Sequence, residues 1–214
     1  MSDVNGSRRG YRSAVREEGA RRTRRAIVGA AASLFVERGY ASTSLADVAA
    51  VAGVARPTVF AAFGSKAALL KQVLDEALAG DDEPLPVRDR PWFQPIWAAT
   101  TPREALTAYA DVCLLIAQRA APLFESVHRA ADDASEAAQL WQTLLANRRT
   151  GSRMVVEHAR TLGALAVDGE RAVDVLWLFN DPALYASLVT DSGWSESDYR
   201  DWLASTMCRA LLPA

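Results

Sequence analysis

Residues 43–66, TSLADVAAVAGVARPTVFAAFGSK, constrain the fold of this chain more than any other segment. The pattern predicts two short helices joined by a tight turn. Thr43 or Ser44 can cap the first helix, and Asp47 lies three residues after Ser44, where its carboxylate can accept a free amide hydrogen. Gly53 follows, because a chain that leaves a helix often needs a positive φ.

The second short helix is predicted from about residue 56 to residue 63. Pro57 lies in its first turn, where no amide hydrogen is needed. Val59 and Phe63 are expected to face the first helix. Two short helices joined at a glycine turn are typical of a helix-turn-helix, in which the outer face of the second helix enters the major groove of DNA.

Helices are predicted on both sides of this segment. Upstream, apolar residues recur at helical spacing from Ile27 to Phe35, and Gly39 marks the end of that helix. Downstream, Ser65 can cap a connecting helix over residues 66–79. The chain therefore begins with three helices, the last two of which form the helix-turn-helix.

Together these segments follow the pattern AxxLFxxxGYxxTSLxxVAxxAGVxxxTVFxxFxSKxxLL, which lies within residues 21–74. The run resembles the DNA-binding domain of the TetR family of bacterial transcriptional regulators. The resemblance implies an all-α protein, with an N-terminal three-helix DNA-binding domain at residues 21–66 and a helical ligand-binding and dimerisation domain at residues 67–214. The chain departs from the family pattern at Ala55, where a serine cap is common, and at two alanines after Phe60.

The DNA contacts are expected to be of two kinds. Lys66, Thr58 and either Thr43 or Ser44 would hold phosphates. Arg56 is the side chain of the recognition helix that can bind guanine O6 and N7, while alanine methyl groups suit the thymine methyl group. The residues predicted to bind DNA are Thr43, Ser44, Arg56, Pro57, Thr58, Phe60, Ala61, Ala62, Lys66, Arg24 and Arg25.

Charge is distributed unevenly along the chain. Through Lys71 there are 12 Lys and Arg against 5 Asp and Glu, whereas the remainder holds 12 against 21. The first part is therefore expected to bind a polyanion. Residues 1–20, rich in arginine and containing glycine and serine, are predicted to be a flexible basic arm. Such an arm is either a solvated tail or a contact to the minor groove and phosphates.

The second part is expected to be helical after an irregular linker at residues 80–91, which is rich in proline and charge. Thr101 and Glu104 form a capping box, and Pro122 is expected to interrupt the helix that they start. The predicted helices run from Thr101 to Arg119, from Pro122 to Ala131, from Ser135 to Leu162, over residues 170–190, and onward from the capping pair Ser195 and Asp198.

A small-molecule inducer, apolar or aromatic, is expected in this second domain, because ligand pockets are mostly apolar with a few polar anchors. Each candidate residue has the alternative of an ordinary core position, and a capping or core role explains His128 and Asn180 equally well. The candidates are Trp92, Phe93, Trp97, Tyr109, Phe124, His128, Trp141, Met154, Trp177 and Asn180.

The last two predicted helices indicate self-association. Residues 170–190 are apolar on nearly every side, so this helix must be covered all round. The family resemblance assigns both helices to a two-fold interface between subunits, although both could also pack within one subunit. The residues predicted at this homodimer interface are Leu184, Leu188, Tyr199, Trp202, Leu203 and Met207.

The sequence contains no catalytic or phosphate-binding motif, and its two cysteines and two histidines show no metal-ligand spacing. We therefore expect neither an enzyme nor a metal or other cofactor. The polar, basic N-terminus and the lack of a long apolar run favour a cytoplasmic, nucleoid-associated protein without a membrane contact.

The function predicted from these observations is a homodimeric transcriptional repressor, released from a near-palindromic double-stranded operator by a small-molecule ligand. One alternative is a family member that activates transcription or lacks a ligand response. A more remote alternative is an all-helical enzyme or ligand-binding module with an incidental helix-turn-helix.

Overall fold

The computed structural model describes residues 4–213, with side chains from residue 16 onward. Every regular element in this range is helical, which confirms the all-α fold class. The chain divides into two compact units, Met1–Val73 and Leu74–Ala214. This division falls within a helix, beyond residue 66, where the sequence placed the end of the DNA-binding domain.

Four helices begin the chain. Their bounds are α1 Val4–Arg38, α2 Leu45–Ala52, α3 Arg56–Phe63 and α4 Lys66–Ala79. Helices α1 and α2 end where the sequence predicts, each directly before a glycine. Gly39 and Gly53 have positive φ values of 78° and 67°. The core of the first unit comes from one face of each helix and contains Ile27, Ala31, Leu34, Phe35, Val48, Val59, Leu69 and Leu70.

The helix-turn-helix forms as its local sequence predicts. Ser44 caps α2, and its hydroxyl and the Asp47 carboxylate bond reciprocally to the backbone of the two residues. Ala55 leaves the start of α3 without a side-chain cap. The axes of α2 and α3 differ in direction by 111°, which is within the range of this motif.

The prediction of a flexible arm at residues 1–20 is wrong for the part that the structure describes, because α1 begins at Val4. Residues 1–3 and the side chains of the first arginines lie outside the described residues. The physical reason lies in the continuity of the helix. The stretch between residues 14 and 25 is rich in Ala, Arg and Glu, which are strong helix formers, and it extends a helix already nucleated by the packed face from Ile27 to Phe35.

Six further α-helices belong to the second unit. They are α5 Gln94–Trp97, α6 Pro102–Ala131, α7 Ser135–Leu162, α8 Gly169–Phe179, α9 Pro182–Tyr185 and α10 Glu196–Leu211. A 3-10 turn at Val87–Asp89 precedes α5, and a π-helical segment at Ala186–Asp191 follows α9. Helix α6 packs against α7, α10 and α9, and α8 packs against α7 and α10.

Two predicted helix boundaries in this unit are wrong. Pro122 lies inside α6 rather than starting a new helix. The buried face of α6 continues on both sides of it, through Ala120 and Phe124, so packing outweighs the lost hydrogen bond, which costs about 3 kcal/mol. The predicted helix over residues 170–190 is broken after Phe179, because the residue before a proline disfavours the α conformation and Asp181 instead caps α9.

The predicted linker at residues 80–91 is irregular, as expected, but it is organised around one side chain. Arg90 is buried, and its guanidinium donates two hydrogen bonds of 2.7 Å to the Asp81 carboxylate. The same guanidinium donates to the carbonyls of Leu85 and Glu83. Through these hydrogen bonds, the buried Arg90 side chain fixes the path of the chain after α4.

Candidate functional site

The outer face of α3 is open to solvent. Arg56, Thr58, Ala61 and Ala62 are exposed, as is Pro57 in the first turn of α3. Phe60 is 62% exposed. The opposite face is anchored by Val59, which is fully buried. The face that a major groove would meet therefore offers one guanidinium, one hydroxyl, one aromatic ring and alanine methyl groups.

Ser44 is exposed at the N-terminus of α2, but its hydroxyl is already engaged. It accepts a hydrogen bond from the Asp47 amide and donates one of 2.5 Å to the Asp47 carboxylate. Bonds from the Ser44 hydroxyl and amide hold the pKa of Asp47 below its ordinary value. Asp47 is thus a carboxylate at the helix start, where the helix dipole also favours negative charge.

Thr43 does not offer a phosphate contact through its side chain, contrary to the prediction. Only 1% of the residue is exposed, and the one hydrogen of its hydroxyl is shared between the carbonyls of Leu34 at 3.2 Å and Gly39 at 2.9 Å. Leu34 lies in the last turns of α1, and Gly39 is the first residue after that helix. Thr43 therefore closes the turn between α1 and α2.

Lys66 was also predicted to hold a phosphate, and the structure gives its ammonium another role. The Nζ atom donates to the carbonyl of Tyr40 at 2.7 Å and to that of Thr43 at 3.0 Å. It also lies 4.1 Å from the centre of the Tyr40 ring. Burial lowers the pKa of Lys66. Two of the three ammonium protons are thus committed to the turn that follows α1.

Arg24 shows the same behaviour at another helix end. Its guanidinium donates to the carbonyl of Ala62, in the last turn of α3, and to the Gln72 side chain at 2.8 Å. It lies 4.3 Å from the centre of the Phe63 ring. Arg24 therefore ties α1 to α3 and α4, whereas Arg25, also predicted to bind DNA, is exposed.

The residues predicted to line a ligand pocket do not form one group. The rings of Trp92, Phe93 and Trp97 contact one another in series at tilted angles, and Trp97 meets His158 edge-on. A second group consists of Phe124, Trp141 and His128. The exposed imidazole of His128 stacks 4.6 Å from the indole of Trp141, and Phe124 meets that indole edge-on. Met154 is half-buried on α7.

The remaining predicted residues, Tyr109, Trp177 and Asn180, surround a side chain that the sequence analysis missed. Arg148 donates from Nε to the Asn180 amide oxygen at 3.0 Å and from Nη2 to the Trp177 carbonyl at 2.9 Å. The Asn180 amide nitrogen donates to the Tyr109 hydroxyl at 2.8 Å and to Ser152 Oγ at 2.9 Å. These five residues are called the Arg148 cluster below.

The Arg148 cluster borders apolar core. Burial raises the pKa of the neighbouring Cys113 thiol to about 12 and also raises the pKa of Tyr109. Both groups are therefore neutral at physiological pH. Arg148, paired with Asp181 at 3.0 Å, carries the positive charge of the cluster.

The predicted interface residues divide into two classes. Tyr199, Leu203 and Met207 are at most 1% exposed within a single chain, so the prediction that these three meet another subunit is wrong. They pack into the core between α6, α8 and α10. Leu184, Leu188 and Trp202 are only partly buried. The side chains of α8 and α10 that remain exposed lie on the opposite faces of these helices.

Among the described residues, no group of three or more His, Cys, Asp or Glu side chains could hold a metal ion. No single helix in that part of the chain is long and apolar enough to cross a membrane. Helices α2 and α3, which are bent at 111° to each other, reach the required length and composition only when taken together.

Comparison with known proteins matches residues 27–73 to the family model described as bacterial regulatory proteins, tetR family. The HTH-type transcriptional regulator TtgR of Pseudomonas putida is 44% identical over 59 residues, which span 28% of this chain and 28% of that protein. The sequence similarity to this curated relative therefore covers little more than a quarter of its length.

Similarity of fold extends much further. The structure of NalD, the secondary repressor of the MexAB-OprM multidrug efflux pump in Pseudomonas aeruginosa, matches with a TM-score of 0.67 and 21% identity, over 91% of this chain and 98% of that one. A transcriptional regulator from Saccharomonospora viridis in complex with choline matches with a TM-score of 0.66 and 18% identity, over 89% and 98%. At these identities the likeness concerns the fold.

Proposed function

We propose that this chain, a member of the TetR family of bacterial regulatory proteins, is a transcriptional repressor that binds a near-palindromic double-stranded DNA operator as a homodimer. The observation that carries the proposal is the exposed outer face of α3, held at 111° to α2 by a left-handed glycine turn. Arg56 is the group on this face suited to reading guanine, and Phe60 and the alanines provide apolar surface for thymine methyl groups.

Dimerisation would bring two copies of α3 to successive turns of the major groove, about 34–36 Å apart. The surface proposed for the dimer is the exposed side of α8 and α10. Leu178 is 60% exposed there, and the rings of Phe179 and Trp194 lie 6.1 and 6.0 Å from that of Trp202. An apolar patch of this kind is typical of a surface that another subunit covers.

Release by a ligand is proposed to act through α4. This helix runs without interruption from Lys66 in the first unit to Ala79 in the second. A ligand bound in the second unit would favour one position of α4 and thereby change the separation of the two recognition helices. DNA affinity would fall, because only one separation fits both half-sites. Two structural neighbours support the proposal of ligand release: NalD is a repressor, and the regulator from Saccharomonospora viridis is in complex with choline.

The test is selection of DNA fragments by the purified full chain from a random library, followed by binding measurements on the recovered sequence. We expect a near-palindrome bound by two chains. An Arg56→Ala variant should fold but bind the selected site about 1–3 kcal/mol per half-site more weakly, and it should lose its preference at a single G·C pair. Recovery of fragments without a shared sequence would contradict operator recognition. A reporter gene behind the selected site then separates repression from activation.

A further inference from the structure

Arg148 is the charged residue of the Arg148 cluster, and its side chain is buried. Only 9% of its side chain is exposed. Its partners are the Asn180 amide oxygen, the Trp177 carbonyl and the Asp181 carboxylate, all of which contact Nε or Nη2. These contacts explain why the side chain enters the protein, because they satisfy carbonyl and amide groups at the end of α8.

Two nitrogen atoms of this cluster are left without any acceptor. Arg148 Nη1 and Trp177 Nε1 are both shielded from solvent, and neither makes a hydrogen bond with the residues that the structure describes. The two groups are neighbours, since the guanidinium carbon lies 5.7 Å from the centre of the indole ring. Buried donors are nearly always paired, so two unpaired donors on neighbouring side chains are suited to a ligand that accepts hydrogen bonds.

The chemistry of a ligand that would suit this cluster follows from the donors. Both unpaired donors are N–H groups, so such a ligand must accept hydrogen bonds. One donor belongs to a guanidinium, and bonds from an ionised donor are strongest to an ionised acceptor. A cation such as choline presents no such acceptor and would meet the charge of Arg148. The cluster therefore favours an anionic oxygen.

We propose that the Arg148 cluster binds the carboxylate of a small organic acid, with Arg148 Nη1 and Trp177 Nε1 as its donors. This inference rests on the ligand response proposed above and names the class of the effector. The apolar body of the acid would lie towards the core that contains Tyr109 and Leu176. The alternative, a single trapped water molecule, satisfies the same donors without any acid.

The experiment is calorimetric titration of the full chain, in the absence of DNA, with benzoate, salicylate, phenylacetate, cinnamate and octanoate, with choline as a cationic control. We expect at least one acid to bind and choline not to bind. Trp177→Phe keeps the ring and removes one donor, so it should weaken the binding of that acid about tenfold. Arg148→Lys keeps the positive charge but loses the planar guanidinium and its fixed set of donors, so it should weaken the binding of that acid at least as much.

Arg149→Lys is the matched control, because Arg149 lies at a similar 5.8 Å from the Trp177 ring but pairs with Asp174 on the surface. The Arg149→Lys variant should bind the acid with the same affinity as the unaltered chain. Thermal unfolding checks that each variant is folded. The proposal is overturned if none of the five acids binds, or if Trp177→Phe binds them unchanged. Binding without release of DNA would leave the carboxylate site intact and contradict only the ligand-release step of the proposed function.

Discussion

Replacing Lys66 by methionine separates two roles for this side chain. As a phosphate contact, Lys66 would contribute to DNA affinity and nothing to stability. In the structure its ammonium instead donates to the carbonyls of Tyr40 and Thr43 and lies over the Tyr40 ring. Methionine keeps a flexible apolar stem of similar length, so the change removes mainly the charge and its hydrogen bonds.

The magnitude follows from these contacts. Each hydrogen bond from a charged donor contributes about 1.5 kcal/mol at the lower end of the usual range, which suits a side chain that remains partly exposed. Two such bonds amount to about 3 kcal/mol. For a chain of this size, each kcal/mol lowers the melting temperature by roughly 2–4 °C. Lys66→Met should therefore lower the melting temperature by roughly 6–12 °C.

The assay combines thermal unfolding, followed by circular dichroism, with DNA affinity measured over a range of salt concentrations. Lys71→Met is the matched control, because it removes the chain's other lysine from an exposed position on the same helix. Its effect should stay below about 1 kcal/mol. If Lys66→Met leaves the melting temperature unchanged and lowers the salt slope by about one unit per half-site, the structural role is refuted and Lys66 is a phosphate contact.

Three further predictions address the interface, the dimer and the cap of α2. Arg56→Ala should lower DNA affinity by about 1–3 kcal/mol per half-site through the loss of a single G·C contact. Uracil in place of thymine should weaken binding at the neighbouring pairs. If Arg56→Ala lowers affinity equally on every sequence, Arg56 contacts phosphate instead. Leu178→Glu should give a folded monomer in sedimentation, whereas Leu203→Glu should unfold the chain because its site is closed within one subunit. The pKa of Asp47 is lowered in the folded chain, so its contribution to stability is present above its ordinary value and lost as pH falls through the folded value. The difference in melting temperature between the unaltered chain and Asp47→Asn should therefore be present at about pH 7 and disappear as the pH falls through the lowered pKa of Asp47. A difference that persists in stronger acid would mean that the cap does not depend on charge.

The elements of the helix-turn-helix could be predicted from sequence because their signals are local. The capping box of Ser44 and Asp47 acts over three residues, and the positive φ of Gly53 is a property of one residue. Pro57 at the start of α3 is equally local. Each signal determines its own turn, and no distant part of the chain opposes it. The bounds of α3 and α4 consequently match the prediction residue for residue.

Prediction failed where packing and local preference disagree. Pro122 favours a helix end locally, but the apolar face of α6 is long enough to keep one helix through it. At Asp181 and Pro182 the opposite occurs, because residues 170–190 read as one apolar helix while the local pair provides both a stop and a new cap. An apolar pattern gives the face of a helix, and its continuity depends on what covers that face.

The exposed and buried sides of α10 could not be told apart from its sequence either. Tyr199, Leu203 and Met207 belong to the same apolar stripe as Trp202. A stripe that wide faces two directions, and its periodicity does not say which part the same subunit covers. Only the positions of α6 and α8 show that the first three are enclosed within the chain.

Lys66 and Arg24, both predicted to bind DNA, and Arg148, for which the sequence predicted no role, all donate to carbonyls at or just after helix ends. Lys66 reaches the turn after α1 across 26 residues, Arg24 reaches Ala62 across 38, and Arg148 reaches Trp177 across 29. The last carbonyls of a helix lack partners, and its C-terminus attracts cations. Which basic side chain bonds to these carbonyls depends on how helices that are distant in sequence pack together. A single sequence therefore does not reveal which side chain pairs with which helix end.

This reassignment changes what the positive charge of the first part can do on DNA. The excess of 12 Lys and Arg over 5 Asp and Glu through Lys71 is not a count of phosphate contacts, because Lys66 and Arg24 are bonded within the protein. The salt dependence of binding counts only cations that neutralise phosphates. Lys66 and Arg24 are therefore expected to contribute little to this salt dependence, whereas Arg56, exposed on the outer face of α3, is expected to contribute to it.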